Sequence, residues 1–193
     1  MPKKGWLAIA GLIILGAVIG AGALIFSVEA NRLTSTDEFC STSCHSMTLV
    51  AQDPHFRQSG HRTNAAGVTP SCGDCHIPKT NWFVETYVHV TSGVRDVFAE
   101  NTNNFDDPKV WKARRIALAH EVRETMRSQD SVTCRSCHDA TKISPASERG
   151  RAAHAVLRES RMTCIDCHFN LVHAPVPPSL DFIRGSNLGR AKP

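Results

Sequence analysis

Four short motifs of cysteine and histidine contain the residues in this 193-residue sequence best suited to bind a cofactor or metal. Three have the form C-x-x-C-H: Cys72–His76, Cys134–His138 and Cys164–His168. The fourth, Cys40–His45, has one more residue between its two cysteines. Together the four motifs use all eight cysteines, so none remains for a disulfide or a structural thiol.

The C-x-x-C-H pattern is typical of c-type haem attachment, in which two thiols add across the haem vinyl groups and the next imidazole lies beside the iron. A thioredoxin-like redox pair does not require this histidine, and a zinc site does not require Cys-His at the end of every copy. We therefore predict four covalently bound haem c groups, with His76, His138 and His168 as iron ligands of the intact motifs. The attachment residues are Cys40, Cys44, Cys72, Cys75, Cys134, Cys137, Cys164 and Cys167.

The composition indicates a small apolar core. Aromatic residues make up 6% of the chain and hydrophobic residues 41%, and the first 28 residues contain many of the latter. Because haem is a large flat apolar body, we predict a small all-α domain in which the haems form the core. The formal charge of +4 is modest and haem propionates would offset it, so we predict no nucleic-acid binding.

The stretch Trp6–Val28 contains no charged residue and is long enough to cross a bilayer as a helix. Lys3 and Lys4 precede it, which predicts a cytoplasmic N-terminus and a periplasmic remainder in a bacterial inner membrane. A cleaved signal peptide is the alternative, but its apolar region is normally only about 7–15 residues long. The predicted organisation is a membrane anchor over residues 1–30, a haem domain over 31–175 and a flexible tail, rich in proline and glycine, over 176–193.

Iron in a low-spin electron-transfer haem needs a second axial ligand besides the motif histidine. His61 lies eleven residues before Cys72, and His154 lies ten residues before Cys164, so the arrangement repeats within the chain. Met47 follows the first motif by two residues, and a thioether ligand raises the reduction potential of haem iron. The residues leave open whether His45 or Met47 binds the first iron.

An apolar N-terminal helix, a first motif followed by x-Met, and three further C-x-x-C-H motifs resemble the membrane-anchored tetrahaem quinol dehydrogenases of the NapC/NirT/NrfH family. The resemblance covers about residues 5–175, and the extra residue in the first motif departs from it. It implies that Met47 binds the first iron in place of His45. It also implies that His173 joins His61 and His154 as a distal ligand, without saying which of them serves which haem.

A helix is predicted from Asn81 to about Glu100. Phe83, Tyr87, Val90, Val94 and Val97 form an apolar stripe, and a more polar stripe beside it contains His89 and Asp96. The family resemblance implies that the basic and acidic residues at these two positions flank bound quinol near the first haem. A solvated helix face and iron ligation by His89 are the alternatives.

A second long helix is predicted from Asp107-Pro108 to about Ser128, with His120 exposed on it. Its arginines are expected to contact either haem propionates or solvent. They are Arg114, Arg115, Arg123 and Arg127.

Taken with the resemblance, these features predict electron transfer between the membrane quinone pool and a periplasmic multihaem or molybdenum oxidoreductase that acts on nitrite, nitrate or a related compound. The direction of transfer stays open, as does assembly into a homo-oligomer or a complex with the partner enzyme. One alternative is an anchored relay between two proteins with no quinone site. Another is a small-molecule reductase with an open iron, for which three spare histidines leave little room.

Overall fold

The computed structural model describes residues 3–160 and 162–185, and all eleven regular elements in these residues are helices. The long ones are α1 (Lys3–Thr34), α6 (Trp82–Thr102), α7 (Pro108–Ser128) and α9 (Glu148–Glu159). The short ones are α2 (Asp37–Thr42), α3 (His45–Ala51), α4 (Pro54–Arg57), α5 (Cys72–His76), α8 (Val132–Arg135), α10 (Cys164–Cys167) and α11 (Leu180–Gly185). The predicted all-α class is confirmed.

Helix α1 has the length and composition of a membrane span. The most apolar 18 residues of its segment Gly5–Thr34 have a mean hydropathy of 2.6, and none of them is buried against protein. About 20 apolar residues are needed to cross a bilayer core, so α1 is long enough. The helix continues four residues beyond the predicted end of the anchor at residue 30, and its last turn contacts α6 and α2.

Side-chain caps determine where the two other long helices begin. The Asn81 side chain accepts a hydrogen bond from Val84 N (3.0 Å) at the start of α6. The Asp107 side chain accepts one from Lys109 N (2.8 Å) at the start of α7, with proline at the first helical position. Both predicted helices are therefore confirmed. The exposure predicted for His120 is wrong for its ring Nδ1, which is buried with no hydrogen-bond partner among the described residues.

Few side chains form an apolar core. In the described residues the buried apolar side chains are Phe105, Met162, Ile165, Val176 and Phe182. Many large apolar side chains are exposed instead, both on α1 and on α6. This agrees with the predicted shortage of apolar core, and a core formed by haem stays a prediction.

The C-terminal segment differs from the flexible tail predicted over residues 176–193. Val176 is 3% exposed and Phe182 is 2% exposed, and α11 packs against α7. The Phe182 ring lies 5.8 Å from the Phe169 ring, and the Arg127 guanidinium lies 3.8 Å from the centre of the Phe182 ring. Two buried apolar residues and a cation–π contact therefore help to hold a proline- and glycine-rich segment against α7. Residues 186–193 of the predicted tail lie outside the described residues.

Arginines of α7 bind this segment through its backbone carbonyls. Arg123 donates to Val176 O (2.7 Å) and to Asn170 Oδ1 (2.9 Å), and Arg127 donates to Phe182 O (2.7 Å). Arg123 is only 4% exposed, so the solvent alternative considered for it is wrong. The Val176 carbonyl and the Asn170 amide oxygen accept hydrogen bonds from its guanidinium, and no pattern in the sequence indicated these contacts.

Replacing Phe182 with alanine is expected to lower the free energy of unfolding by about 3–5 kcal/mol, because the change removes a buried ring and its contact with Arg127. Chemical denaturation of the full chain in detergent, followed by circular dichroism, measures this. Leu180→Ala is the matched control on the same helix, since Leu180 is 69% exposed and its loss should change stability by less than about 1 kcal/mol. Equal effects of the two changes would contradict a docked C-terminal segment.

Candidate functional site

The second and fourth motifs begin with the same local structure. Ser71 N donates to the Asp74 carboxylate (2.8 Å), and Asp74 N donates to Ser71 Oγ (3.2 Å). In the fourth motif Thr163 N donates to the Asp166 carboxylate (2.7 Å). This reciprocal cap needs a hydroxyl residue directly before the first cysteine and an acid three positions later. The sequence pattern S/T-C-x-D-C-H therefore fixes the helix on which the cysteines lie.

The extra residue of the first motif breaks that helix. In the third and fourth motifs the histidine N–H donates to the carbonyl of the first cysteine, His138 to Cys134 and His168 to Cys164, both at 2.9 Å. In the first motif α2 ends at Thr42, and His45 begins the separate helix α3. His45 is consequently placed differently from the other three motif histidines.

Both ring nitrogens of His45 face carboxylates. Nε2 lies 3.2 Å from Glu100 Oε1, and Nδ1 lies 3.5 Å from Asp106 Oδ1. Glu100 also accepts hydrogen bonds from Ser46 N (2.9 Å) and Ser46 Oγ (2.7 Å). Sequence reasoning placed Glu100 at the end of the predicted helix and gave it no role. Its position four residues after Asp96, on one helix face, is the signal that could have found it.

Helix α6 lies along the first motif. The His89 Nε2 atom is 3.2 Å from Thr34 Oγ1, and the Thr34 carbonyl is 3.6 Å from Cys40 Sγ. At the other end, burial and then the carboxylates of Glu100 and Asp96 raise the pKa of the Cys44 thiol. Thr34 thus links His89 to the first cysteine of this motif, and Asp96 lies near enough to the second cysteine to affect its thiol. Seven helical residues separate the two side chains by about 10 Å along the axis.

The pKa of the Asp96 carboxyl is raised above its ordinary value. Partial burial raises the pKa of its carboxyl, although Arg95 and Arg114 lie near enough to oppose the shift. Its side chain is 56% exposed, so a ligand can reach it. Helix α6 also carries an open apolar groove of about 500 Å³, lined by Gly93, Val94, Val97, Phe98 and Asn101. Of these residues, Val94 and Val97 belong to the apolar stripe.

Three pairs of histidine rings face one another. The pairs are His61 with His138, His76 with His173, and His154 with His168, each with ring centres 6.1 Å apart. Metal–imidazole bonds are about 2 Å long, so two imidazoles that bind one metal from opposite sides have ring centres roughly 6 Å apart. Each histidine of an intact motif therefore faces one of the three distal histidines named from the sequence, at a spacing that fits an iron between them.

Neighbouring groups affect which ring nitrogen is free at His154 and the protonation state of His173. His154 Nδ1 donates to Gly150 O (2.8 Å), which leaves Nε2 free, as is common for metal-binding histidines. The ring of Phe56, which sequence reasoning missed, stacks on the His173 ring with centres 5.7 Å apart. The His173 ring is solvent-accessible at one side, and desolvation by the surrounding protein, followed by His76, lowers its pKa to about 4. It is therefore neutral near pH 7, the form that binds iron.

The first and second motifs are in direct contact. The Asp37 side chain accepts a hydrogen bond from Cys72 N (2.7 Å). Gly73 N lies 3.3 Å from the Ser35 carbonyl, and a Cβ at Gly73 would come within 2.7 Å of Ser35 Cβ. Only glycine permits this approach. A hydrogen bond from the Cys72 thiol lowers the pKa of Cys40 to about 7, so the two sulfurs are neighbours.

The later motifs continue this series. Helices α5 and α8 pack together and bring the second motif beside the third. Ser131 is fully buried, and its Oγ accepts from Ile165 N (3.1 Å) and joins the third motif to the fourth. A hydrogen bond from Cys134 lowers the pKa of Cys164 to about 6, as at the first junction. The four motifs therefore follow one another in space in their order along the chain.

An uncovered apolar helix, four successive Cys-His motifs and three facing imidazole pairs define an anchored multihaem c-type cytochrome. The model of the NapC/NirT cytochrome c family, N-terminal region, matches residues 2–178 of this chain. The chain belongs to this family of electron-transfer cytochromes, and the resemblance inferred from the sequence is confirmed.

Several curated relatives are similar over most of this chain. A probable tetraheme cytochrome c-type protein of Nitrosomonas europaea is 40% identical over 86% of this chain and 70% of its own length. The denitrification system component NirT of Stutzerimonas stutzeri is 31% identical over 86% of this chain and 82% of its own length. The chain spans only 43% of the 34% identical cytochrome c-type protein TorC of Escherichia coli K12. No solved structure matches the chain.

Two equivalent ion pairs allow a matched test of the fourth motif. Arg127 Nε lies 2.7 Å from Asp166 Oδ1, and the Asp166 side chain is 1% exposed. In the second motif Lys79 Nζ lies 2.5 Å from Asp74 Oδ1, with both side chains more than a third exposed. Removal of one partner leaves a buried charge unpaired only in the fourth motif.

Arg127→Met is therefore expected to lower the free energy of unfolding by about 3 kcal/mol. Lys79→Met should lower it by less than about 1 kcal/mol, because solvent screens that pair. Urea denaturation of the two full-length variants gives both values. A larger effect at Lys79 than at Arg127 would refute the buried pair in the fourth motif.

Proposed function

We propose that this chain is an inner-membrane quinol dehydrogenase that passes electrons from the quinone pool to a periplasmic redox enzyme. The observation that carries the proposal is the position of α6. This helix contacts the end of α1 through Thr86 and His89 and the first Cys-His motif through Glu100. It also carries Asp96, whose carboxyl pKa is raised. Helix α1 would anchor the chain, with the domain from residue 35 onward in the periplasm.

The residues fit four covalently bound haem c groups. The four cysteine pairs would hold the rings, and the three facing histidine pairs would supply both axial ligands of the second, third and fourth irons. We assign His173 to the second, His61 to the third and His154 to the fourth. When bound, haem accepts and gives up one electron at a time at a potential set by its axial ligands.

Met47 is the proposed axial ligand of the first iron. It lies on α3, which begins only after the break in the first motif, and its side chain is half-buried. His45 is held between the carboxylates of Glu100 and Asp106, and this arrangement favours Met47 over His45. The extra residue between Cys40 and Cys44 supports the same assignment, because it separates the helix of His45 from that of Cys40.

Quinol oxidation releases two electrons and two protons, so the site needs a proton acceptor as well as an electron acceptor. Asp96 is the proposed acceptor, since its raised pKa brings the carboxyl nearer to the range useful for a general base at neutral pH. The groove lined by Gly93, Val94 and Val97 would hold the apolar quinol ring. Gly93, three residues before Asp96, is the lining residue nearest to that carboxyl on the helix surface. His89 is the proposed second polar group, because its Nδ1 is buried without a partner among the described residues.

A multihaem or molybdenum oxidoreductase of the nitrogen cycle is the proposed partner. Its support is the similarity of this chain to a denitrification component and to a tetraheme cytochrome of Nitrosomonas europaea. The order of the motifs places the fourth one, with His168, farthest along the series from α1. We propose that the partner docks on that side of the domain.

Asp96→Asn should slow the reduction of the purified full-length cytochrome by a quinol analogue by about 10²-fold, because the amide cannot accept the proton. The rate of the unmodified protein should fall as the pH drops through the raised pKa of Asp96, and the variant should lack this decline. Stopped-flow absorbance of the haem bands measures both. Dithionite should reduce the two proteins equally.

Asp181→Asn provides the control, since the Asp181 side chain is 95% exposed on α11. An Asp96→Asn variant with the rate and pH profile of the unmodified protein would favour an anchored relay between two proteins with no quinone site.

The assignment of distal ligands predicts the outcome of three further substitutions. His61→Met, His154→Met and His173→Met should each raise the reduction potential of a single haem, on the order of 100 mV, because a thioether favours ferrous iron. Potentiometric titration with electron paramagnetic resonance resolves the four centres. His55→Met should change none of them, since His55 is exposed and pairs with Asp53. A variant that altered two haems, or none, would overturn the corresponding pair.

A further inference from the structure

The apolar stripe of α6 noted in the sequence has no protein cover among the described residues. Its side chains are 75% exposed at Phe83, 69% at Tyr87, 58% at Val90, 67% at Val94 and 58% at Val97. Spacings of four, three, four and three residues place them in one row along the helix. We refer to these five residues as the apolar stripe.

Contacts on another face of α6 fix how the stripe is turned. Thr86 Oγ1 accepts a hydrogen bond from Asn31 Nδ2 (2.8 Å), His89 contacts Thr34, and Glu100 binds Ser46. Tyr87 and Val90 each follow one of these inward residues, so they lie about 100° around the helix from them. The stripe therefore lies beside the face of α6 that contacts α1 and the first motif, and these contacts do not cover it.

The stripe begins where the apolar span ends. Asn31, which binds Thr86, lies three residues after Val28, the last residue of the uncharged stretch of α1. Val28 and Trp82 line one cavity of about 370 Å³ together with Asn31, so the start of α6 is at the level of the end of the span. Phe83 follows Trp82 directly. An apolar row at this level continues the lipid-facing surface of α1.

The residue types match a lipid interface. Trp and Tyr are enriched at the boundary between the apolar core of a membrane and its headgroups, and Tyr87 is the single tyrosine of the chain. Large apolar side chains on one face of a helix can enter this boundary. Helix α6 carries Phe83 and Tyr87 on the stripe, while Thr86 and His89 on another face contact protein.

We infer that the first part of the apolar stripe of α6, from Phe83 to Val90, is a second membrane contact in the outer-leaflet interface of the bilayer that α1 crosses. Two contacts, one that spans the bilayer and one at its interface, would prevent the domain from rotating about α1. They would also hold Asp96, two turns beyond His89, at a constant height above the lipid. The inference rests on α1 as a membrane anchor and is independent of quinol oxidation.

Photolabelling by lipid in nanodiscs tests the inference on the full-length holoprotein. Phospholipids with a diazirine on the upper acyl chain are activated, and adducts are located by peptide mass spectrometry. We expect adducts on α1 and on the stripe at Phe83, Tyr87 and Val90. The similarly exposed apolar residues Val156 on α9 and Leu180 on α11 should carry none.

The double variant Phe83→Glu, Val90→Glu should reduce labelling of the α6 peptide about fivefold and leave labelling of α1 unchanged. Val156→Glu is the matched control and should leave both unchanged. Haem content and absorbance of each variant show that the fold persists. If either glutamate variant fails to fold, the positions of the lipid adducts on the unmodified protein alone test the inference.

Two results would overturn the inference. Adducts confined to α1 would show that the stripe does not enter the lipid. A chemical cross-link between the α6 peptides of two copies, with no lipid adduct on the stripe, would show that a second copy of this chain covers it instead. A change in quinol-driven reduction would bear on the proposed function and not on this contact.

Discussion

Hydrogen bonds between consecutive Cys-His motifs hold the domain in order, because the chain has few apolar side chains to bury. The Asp37 carboxylate binds the backbone of the second motif, and the Ser131 hydroxyl binds that of the fourth. Each bond joins a side chain just before or within one motif to the backbone N–H of the next. Such contacts need little volume, so the motifs can approach closely, and Gly73 shows how little space remains at the first junction. A conventional core of packed helices would have kept the motifs apart.

Charged groups do part of the work that apolar packing does in other small domains. Arg123 and Arg127 of α7 satisfy carbonyl groups of the C-terminal segment and cover the rings of Phe169 and Phe182. Arg127 also pairs with Asp166 inside the fourth motif. One helix thus connects the last motif to the end of the described chain. Guanidinium groups suit this role because each offers several donors in a plane that can also lie over an aromatic ring.

Helix α6 presents two faces on the membrane side of the domain. Thr86 and His89 meet the end of α1, and Glu100 holds the segment after the first motif. The apolar stripe lies on a different face, and its residue Val94 also lines the groove toward the C-terminal end of the helix. The same helix would then set the height of the domain above the bilayer.

The sequence alone determined the local features: the four Cys-His motifs, the apolar span, the starts of α6 and α7, and the family. These depend on residue types at short spacings, which act wherever the chain folds. It also named His61 and His154, because a second ligand is a general need of such iron sites and their spacing repeats, and the family resemblance added His173. Only the tertiary structure decided that His173 faces His76, that Glu100 binds beside His45, and that Phe182 is buried. The partners in each of these contacts, including Arg127 and Phe182, are more than 50 residues apart along the chain. No rule of residue spacing connects residues so far apart, because only the folded chain brings them together.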